Sequence, residues 1–215
     1  MKLLILTRPE GAIISTLSEL WGNAQAILFD FDGVLADSEP FYRKSWNTVL
    51  SDYNHSVPEK DYWNHWAFLG EGLEGEIQRN SLRIGDPDAA KARQKKLYSE
   101  YCLNHHIPLF QNTKSILKMA MSLKACAIAS NTDSRLIKEI TQDTIQHLPP
   151  VIGGEGLRSK PFPDIFLKAS DYLSVPPSLC LVFEDARKGA IAAKAAGMPV
   201  ILVRNRYNKN LPALE

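Results

Sequence analysis

An α/β fold is what this sequence predicts: a parallel sheet covered by helices on both faces, with a block of helices inserted after the first core strand. Three observations carry that expectation. Short apolar runs at Ala26–Phe29, Ala125–Ala129 and Leu179–Phe183 each end in polar residues and are followed by helical periodicity. Strands and helices in alternation read as parallel strands joined by crossover helices. From about residue 39 to 106, by contrast, the chain reads as helix throughout. The core expected is Rossmann-like, and the insert all-helical.

The elements follow in order. Residues 1–25 form an N-terminal extension with a possible edge strand over Lys2–Thr7 and a helix over Ile13–Leu20; no functional reading attaches to it. Residues 26–38 and 107–215 make the α/β core, and 39–106 the helical cap. Ser38 and Glu39-Pro40 signal a helix start, with Phe41, Trp46, Val49 and Leu50 at helical spacing. After the break at Gly70-Glu71-Gly72, helices are expected over Leu73–Leu82 and Asp88–Asn104. In the core, Thr113–Leu123 is helix-like, and Asp133 or Ser134 caps the helix after the second strand. Val151-Ile152 is a brief strand, and Pro163–Leu173 a helix. The Ala-rich stretch Ala186–Ala196 is a helix stopped by Gly197, and Pro199–Val203 is the last strand.

Composition narrows the function class. The chain has 215 residues, 45% of them hydrophobic, and a formal net charge of +1, so nothing favours nucleic acid or an anionic membrane as partner. No apolar run approaches a membrane span. Cys102, Cys126 and Cys180 are widely separated and sit in or beside apolar runs, which suits a reducing, cytoplasmic setting.

In an open α/β sheet, ligands bind beyond the carboxyl ends of the strands. The first strand ends in Asp30-Phe31-Asp32-Gly33, the second in Ser130-Asn131, and the strand after Leu179 in Glu184-Asp185; Lys160 opens the segment Lys160-Pro161-Phe162-Pro163-Asp164. Taken singly, each has an ordinary explanation as turn, N-cap or loop lysine. Placed on one rim, they supply carboxylates, a hydroxyl and an ammonium, the parts a phosphoryl-transfer site needs. Like-charged carboxylates so close repel unless a cation lies between them, and Mg²⁺ prefers such oxygen ligands.

Four segments, Leu28–Glu39 (LFDFDGVLADSE), Ala127–Asn131 (AIASN), Ser159–Phe166 (SKPFPDIF) and Val182–Met198 (VFEDARKGAIAAKAAGM), resemble the four motifs of the haloacid dehalogenase superfamily. The closer similarity is to its β-phosphoglucomutase and phosphoglycolate phosphatase branch, and it runs from about Ala26 to Val203. The resemblance implies that Asp30 is the nucleophile and forms an aspartyl-phosphate, with Asp32 as general acid and then base. It also implies that Ser130, Asn131 and Lys160 bind the phosphate. Mg²⁺ would be held by the carboxylates of Asp30 and Asp185, the backbone carbonyl of Asp32, and Glu184 directly or through water. The helical insert would be a cap that closes over the site.

Departures from the family pattern refine the expectation. The presence of Asp32 and Asp185 argues against dehalogenase chemistry. Mutases of the branch carry an arginine shortly after the cap glycine, whereas here the stretch is Gly70-Glu71-Gly72-Leu73-Glu74-Gly75, which would repel a second phosphate; Arg79 and Arg83 are possible substitutes. Trp63 and Trp66 are expected to pack within the cap, and His65, His105 and His106 are weaker candidates for contacts there. The expected function is Mg²⁺-dependent hydrolysis of a small phosphorylated metabolite, a sugar phosphate. A phosphomutase is the alternative enzyme, and a non-catalytic binding protein the alternative class.

Overall fold

The computed structural model describes residues 2–3, 18–104, 107–205 and 208. His105 and His106 lie outside these residues, as do parts of the strand and helix expected near the N-terminus. Within them, Lys2–Leu3 (β1) form an edge strand and residues 18–23 are helical.

The core strands are Ala26–Phe29 (β2), Ala125–Ala129 (β3), Val151–Ile152 (β4), Cys180–Glu184 (β5) and Val200–Arg204 (β6). They lie in the order β1-β6-β5-β2-β3-β4, and β1 alone runs antiparallel. Thus β2 sits centrally between β3 and β5, and the strand order reverses beside it. Alternation decides which residues reach which face. Ile27, Phe29, Ile128, Leu181 and Phe183 enter one buried cluster, while Ala26, Leu28, Ala127, Ala129 and Val182 enter the other. Phe29 and Phe183 stack across neighbouring strands with ring centroids 5.3 Å apart.

The strand expected from Leu179 begins one residue later, because Pro177–Leu179 is wound as a 3₁₀ turn begun by the fixed φ of Pro177. The core helices are Thr113–Leu123, Ser134–Thr141, Asp164–Leu173 and Arg187–Ala195. Asp133 caps the second of them, accepting from the Arg135 backbone N–H at 2.9 Å.

The insert opens with Glu39–Leu50 (α1), continues through a π-helical segment, Tyr62–Phe68, and ends with Gly72–Asn80 (α2) and Pro87–Asn104 (α3). α2 stops before the expected Leu82 because Ser81 takes a left-handed conformation at φ 51°. Trp46, Val49, Leu50, Val57, Tyr62, Trp66 and Leu73 form the insert's own buried cluster. The far end of α3 belongs to the α/β layer instead, since Tyr98 and Cys102 are buried against the core. Among the described residues no helix is long and apolar enough to cross a membrane.

Candidate active site

Three carboxylates converge at the tips of β2 and β5. Asp30, Glu184 and Asp185 are all buried, and each offers an oxygen within 4.8 Å of the others. β2 delivers Asp30 in register, its backbone N–H donating to the Phe183 carbonyl at 2.9 Å. Lys160 Nζ enters from the loop after β4, 2.9 Å from Asp30 Oδ1 and donating to Glu184 Oε1 at 2.7 Å. It also donates to the Ala129 carbonyl at 3.0 Å and lies 4.7 Å from the centre of the Phe166 ring. Asn131 Oδ1 accepts the Lys160 backbone N–H at 3.0 Å, so that side chain fixes the lysine's loop.

Burial drives the electrostatics. It pushes the Asp30 carboxyl up to about 7, against the pull of Lys160, with Glu184 and Asp32 adding repulsion. Asp185 is raised well above the carboxylate range, first by burial and then by Glu184 and Asp30. Burial opposes the Lys160 charge, yet Asp30 and Glu184 hold its pKa above the ordinary lysine value. Three ionised carboxylates and one ammonium leave a formal charge of −2, which one divalent cation cancels.

The donor set fits Mg²⁺. All ligand atoms are oxygens, and the buried Asp30 Oδ1 meets Lys160 Nζ at 2.9 Å. Glu184 Oε2 accepts the backbone N–H groups of Asp185 (2.9 Å) and Ala186 (3.0 Å) while Oε1 holds Lys160, so both its oxygens are engaged. Two glycines make room for the cluster. A Cβ on Gly33, which has φ +74°, would lie 2.0 Å from Asp185 Oδ2, and one on Gly189 would lie 1.7 Å from Glu184 Oε1.

Asp32 stands apart from this triad. Its Oδ1 accepts from Ser38 Oγ at 2.5 Å and Tyr98 OH at 3.1 Å, and its Oδ2 from Ser130 Oγ at 3.1 Å and Thr132 Oγ1 at 2.7 Å. α1 starts at Glu39, as Ser38 and Glu39-Pro40 signalled, but the Ser38 hydroxyl goes to Asp32 and α1 has no side-chain cap.

The insert lies against the rim across a narrow seam. A cavity of about 10 Å³ there is lined by Glu39, Trp63, Ala67 and Phe68 of the insert and by Asp185, Asn205 and Asn208 of the core. Gly70 approaches the core so closely that a Cβ would lie 2.8 Å from Lys188 Cδ. Trp66 is buried and Trp63 packs against the insert's cluster, both as expected, and Trp63 also borders the seam. The acidic stretch after Gly70 does not supply the expected repulsion by itself: Glu71 pairs with Arg79 and Glu74 with Lys91. Arg79 also pairs with Glu76, which takes Trp66 Nε1 at 2.7 Å, and Arg83 is exposed.

The chain has relatives among known proteins. A family model described as haloacid dehalogenase-like hydrolase matches residues 24–197. The chain belongs to that family. It is an enzyme of that family, and its curated relatives include a protein named β-phosphoglucomutase, 24% identical over 90% of this chain. SUPPRESSOR OF QUENCHING 1 of Arabidopsis thaliana is 30% identical over 97% of this chain, although the chain spans only 20% of that protein's length. Fructose-1-phosphate phosphatase YqaB of Escherichia coli is 26% identical over 83% of this chain and 95% of its own. The crystal structure of CbbY from Rhodobacter sphaeroides with xylulose-1,5-bisphosphate has a similar fold, with TM-score 0.67 and 22% identity over 86% of this chain and 88% of that one.

Of the residues expected of a haloacid dehalogenase-like site, Asp30, Lys160, Glu184 and Asp185 lie together in one group and Asp32 with Ser130 in another, while Asn131 is exposed and holds the backbone of Lys160. Sequence reasoning missed Glu39, Tyr98, Thr132, Asn205 and Asn208. Thr132 could have been found, being two residues beyond Ser130 in the same strand-end turn. Asn205 donates to Asp185 Oδ2 at 3.0 Å and to the Gly33 carbonyl at 2.9 Å, and Asn208 donates to the Asp185 carbonyl at 3.0 Å. Their spacing, three apart just past the last strand, is the only signal they leave.

Proposed function

We propose that this protein is a Mg²⁺-dependent phosphatase that hydrolyses a small phosphomonoester, a sugar phosphate, through an aspartyl-phosphate. The observation that carries the reading is the convergence of Asp30 with Glu184 and Asp185 while Lys160 flanks Asp30 at 2.9 Å. Asp30 and Glu184 both contact Lys160, but the second oxygen of Glu184 is held by two backbone N–H groups, which leaves Asp30 the better suited as a nucleophile attacking an anionic phosphorus centre.

Asp30 and Asp185 would hold the ion by their carboxylates and Asp32 by its backbone carbonyl, with Glu184 acting through water because its oxygens are already engaged. When bound, Mg²⁺ supplies charge neutralisation around the transferred phosphate. An Asp30 oxygen bonds to phosphorus as the ester oxygen departs, and Asp32 gives that oxygen its proton. Asp32 then takes a proton from the water that attacks the aspartyl-phosphate, returning Asp30 and releasing phosphate. Ser130 Oγ, the Asn131 amide N–H₂ and the Lys160 ammonium would hold the phosphate oxygens.

Two points favour hydrolysis over mutase chemistry. A mutase must grip a distal phosphate, whereas Arg79 is tied to Glu71 and Glu76. The Escherichia coli relative is named a phosphatase, which supports hydrolysis and a carbohydrate phosphate as substrate. The test is phosphate release from a panel of sugar phosphates, with Mg²⁺ and with chelator. The reading requires metal-dependent release that Asp30→Asn abolishes; isomer interconversion without phosphate release would overturn it in favour of a mutase.

A further inference from the structure

We infer that Asn205 is a positioning residue for Asp185, holding one oxygen of that carboxylate so that the other faces the divalent ion. The inference rests on the Mg²⁺-dependent reading and deepens it, bringing to the site a residue from beyond the last strand.

The carboxylates of the triad are held in different ways. Lys160 steadies Asp30 and Glu184, and two backbone N–H groups hold the second oxygen of Glu184. Asp185 is met by a neutral amide instead. Asn205 Nδ2 donates to Asp185 Oδ2 at 3.0 Å and to the Gly33 carbonyl at 2.9 Å. The same Oδ2 occupies the space that a Cβ on Gly33 would need, so the bare glycine and the amide together set where it lies. Asn205 thereby ties the turn after β2 to the tip of β5, the two places that supply the ion's carboxylates.

Asn208 in turn holds Asn205. The Asn205 backbone N–H donates to Asn208 Oδ1 at 2.8 Å, and the Asn208 backbone N–H donates to Asn205 Oδ1 at 3.2 Å. Asn208 Nδ2 donates to the Asp185 and Val203 carbonyls, both at 3.0 Å, and Arg204 Nη1 donates to the Asn208 carbonyl at 2.7 Å. Each side-chain amide thus uses its nitrogen twice and its oxygen once. The Gly33, Asp185 and Val203 carbonyls can only accept, which fixes the end of each amide that is nitrogen. An amide anchored at both its polar atoms orients the carboxylate rather than following it.

The neutrality of the donor matters for the ion. An ammonium against Asp185 would cancel part of the cluster's formal charge of −2, and a further carboxylate would add repulsion. Asparagine fixes the ligand and leaves the whole charge for Mg²⁺.

The experiment titrates Mg²⁺ alone into metal-free wild type and Asn205→Ala, reading the Kd by isothermal titration calorimetry and the Tm in chelator. Asn205→Ala should raise the Kd by about 10- to 100-fold. A purely structural role would lower the Tm in chelator and leave the Kd as it was. An unchanged Kd in a folded Asn205→Ala therefore overturns this inference and leaves the phosphatase reading standing. A wild type that binds no Mg²⁺ overturns both. Should Asn205→Ala fail to fold, a wild-type crystal structure with Mn²⁺ decides. Asn205 on one Asp185 oxygen with the ion on the other supports the inference, and an Asp185 turned away from Asn205 overturns it.

Discussion

The strand tips and the helical insert face each other across one seam, and they are built by different rules. On the rim, the chemistry-bearing residues sit at strand ends, where neighbouring parallel strands in register bring Asp30 beside Glu184 and Asp185. Their positions are fixed by backbone hydrogen bonding, and their charges are costly because they are buried together. In the insert, Glu39, Trp63 and Phe68 reach the same seam only through the winding of α1 and the π-helical segment around Trp46 and Trp66. The rim therefore gathers like charges that an ion would relieve, whereas the insert brings an aromatic wall and the Glu39 carboxylate to the seam. On the proposed reading, this division would put rate on the rim and selectivity in the insert.

The largest expected effect tests the rim. Asp30→Asn should lower phosphate release by about 10⁴-fold or more while the protein still folds, since the substitution removes a buried charge. Activity retained at even a tenth of wild type would mean that the nucleophile lies elsewhere. Next is Lys160→Met, which leaves the triad without its ammonium. Urea unfolding in chelator should show a loss of about 3–5 kcal/mol, the usual penalty for breaking a buried ion pair on one side. A loss below about 1 kcal/mol would deny that Lys160 holds the cluster together.

Metal linkage comes third. Saturating Mg²⁺ at about 100 times its Kd should add about 2.7 kcal/mol to unfolding stability, and Asp30→Asn should reduce that gain. Without metal, the Asp30 pKa is raised from 3.8 to about 7, so the folded state holds its proton more tightly than the unfolded state does. Stability in chelator should then fall as pH rises from about 4 to 7, the opposite of the trend for a salt-bridged carboxylate. A flat profile in chelator would show that the triad is not strained.

The smallest effect sharpens the boundary between the two regions. Tyr98 belongs to α3, the last helix of the insert, but its hydroxyl donates to Asp32 at 3.1 Å. Tyr98→Phe should cost about 1 kcal/mol of stability and shift the pH profile of kcat, with KM little changed. A change confined to KM would place Tyr98 with the selectivity residues.

The rim was legible in the sequence because each of its parts is local. A run such as Ala26–Phe29 announces a strand, and whatever follows it must stand at the sheet's edge. Asp30, Asp32, Ser130, Glu184 and Asp185 are all found that way, and Lys160 by its place in a motif. Glu39 was read only as part of a helix start, since its aim depends on Tyr62, 23 residues away. Tyr98 is 66 residues from Asp32, and no periodicity links them. The acids after Gly70 were misjudged for a related reason: their partners, Arg79 and Lys91, lie on the insert's own helices and neutralise them there. Pairings within the insert are tertiary facts, which short-range patterns do not encode.

The central claim is that Asp30 and Asp185 share one divalent ion. Its most direct test is a crystal structure grown with Mn²⁺ as a surrogate, with the ion located by anomalous scattering. The result expected is one peak with an oxygen of each residue about 2.0–2.3 Å away. A fully active enzyme whose ion touches neither carboxylate, or only one of them, would contradict the claim.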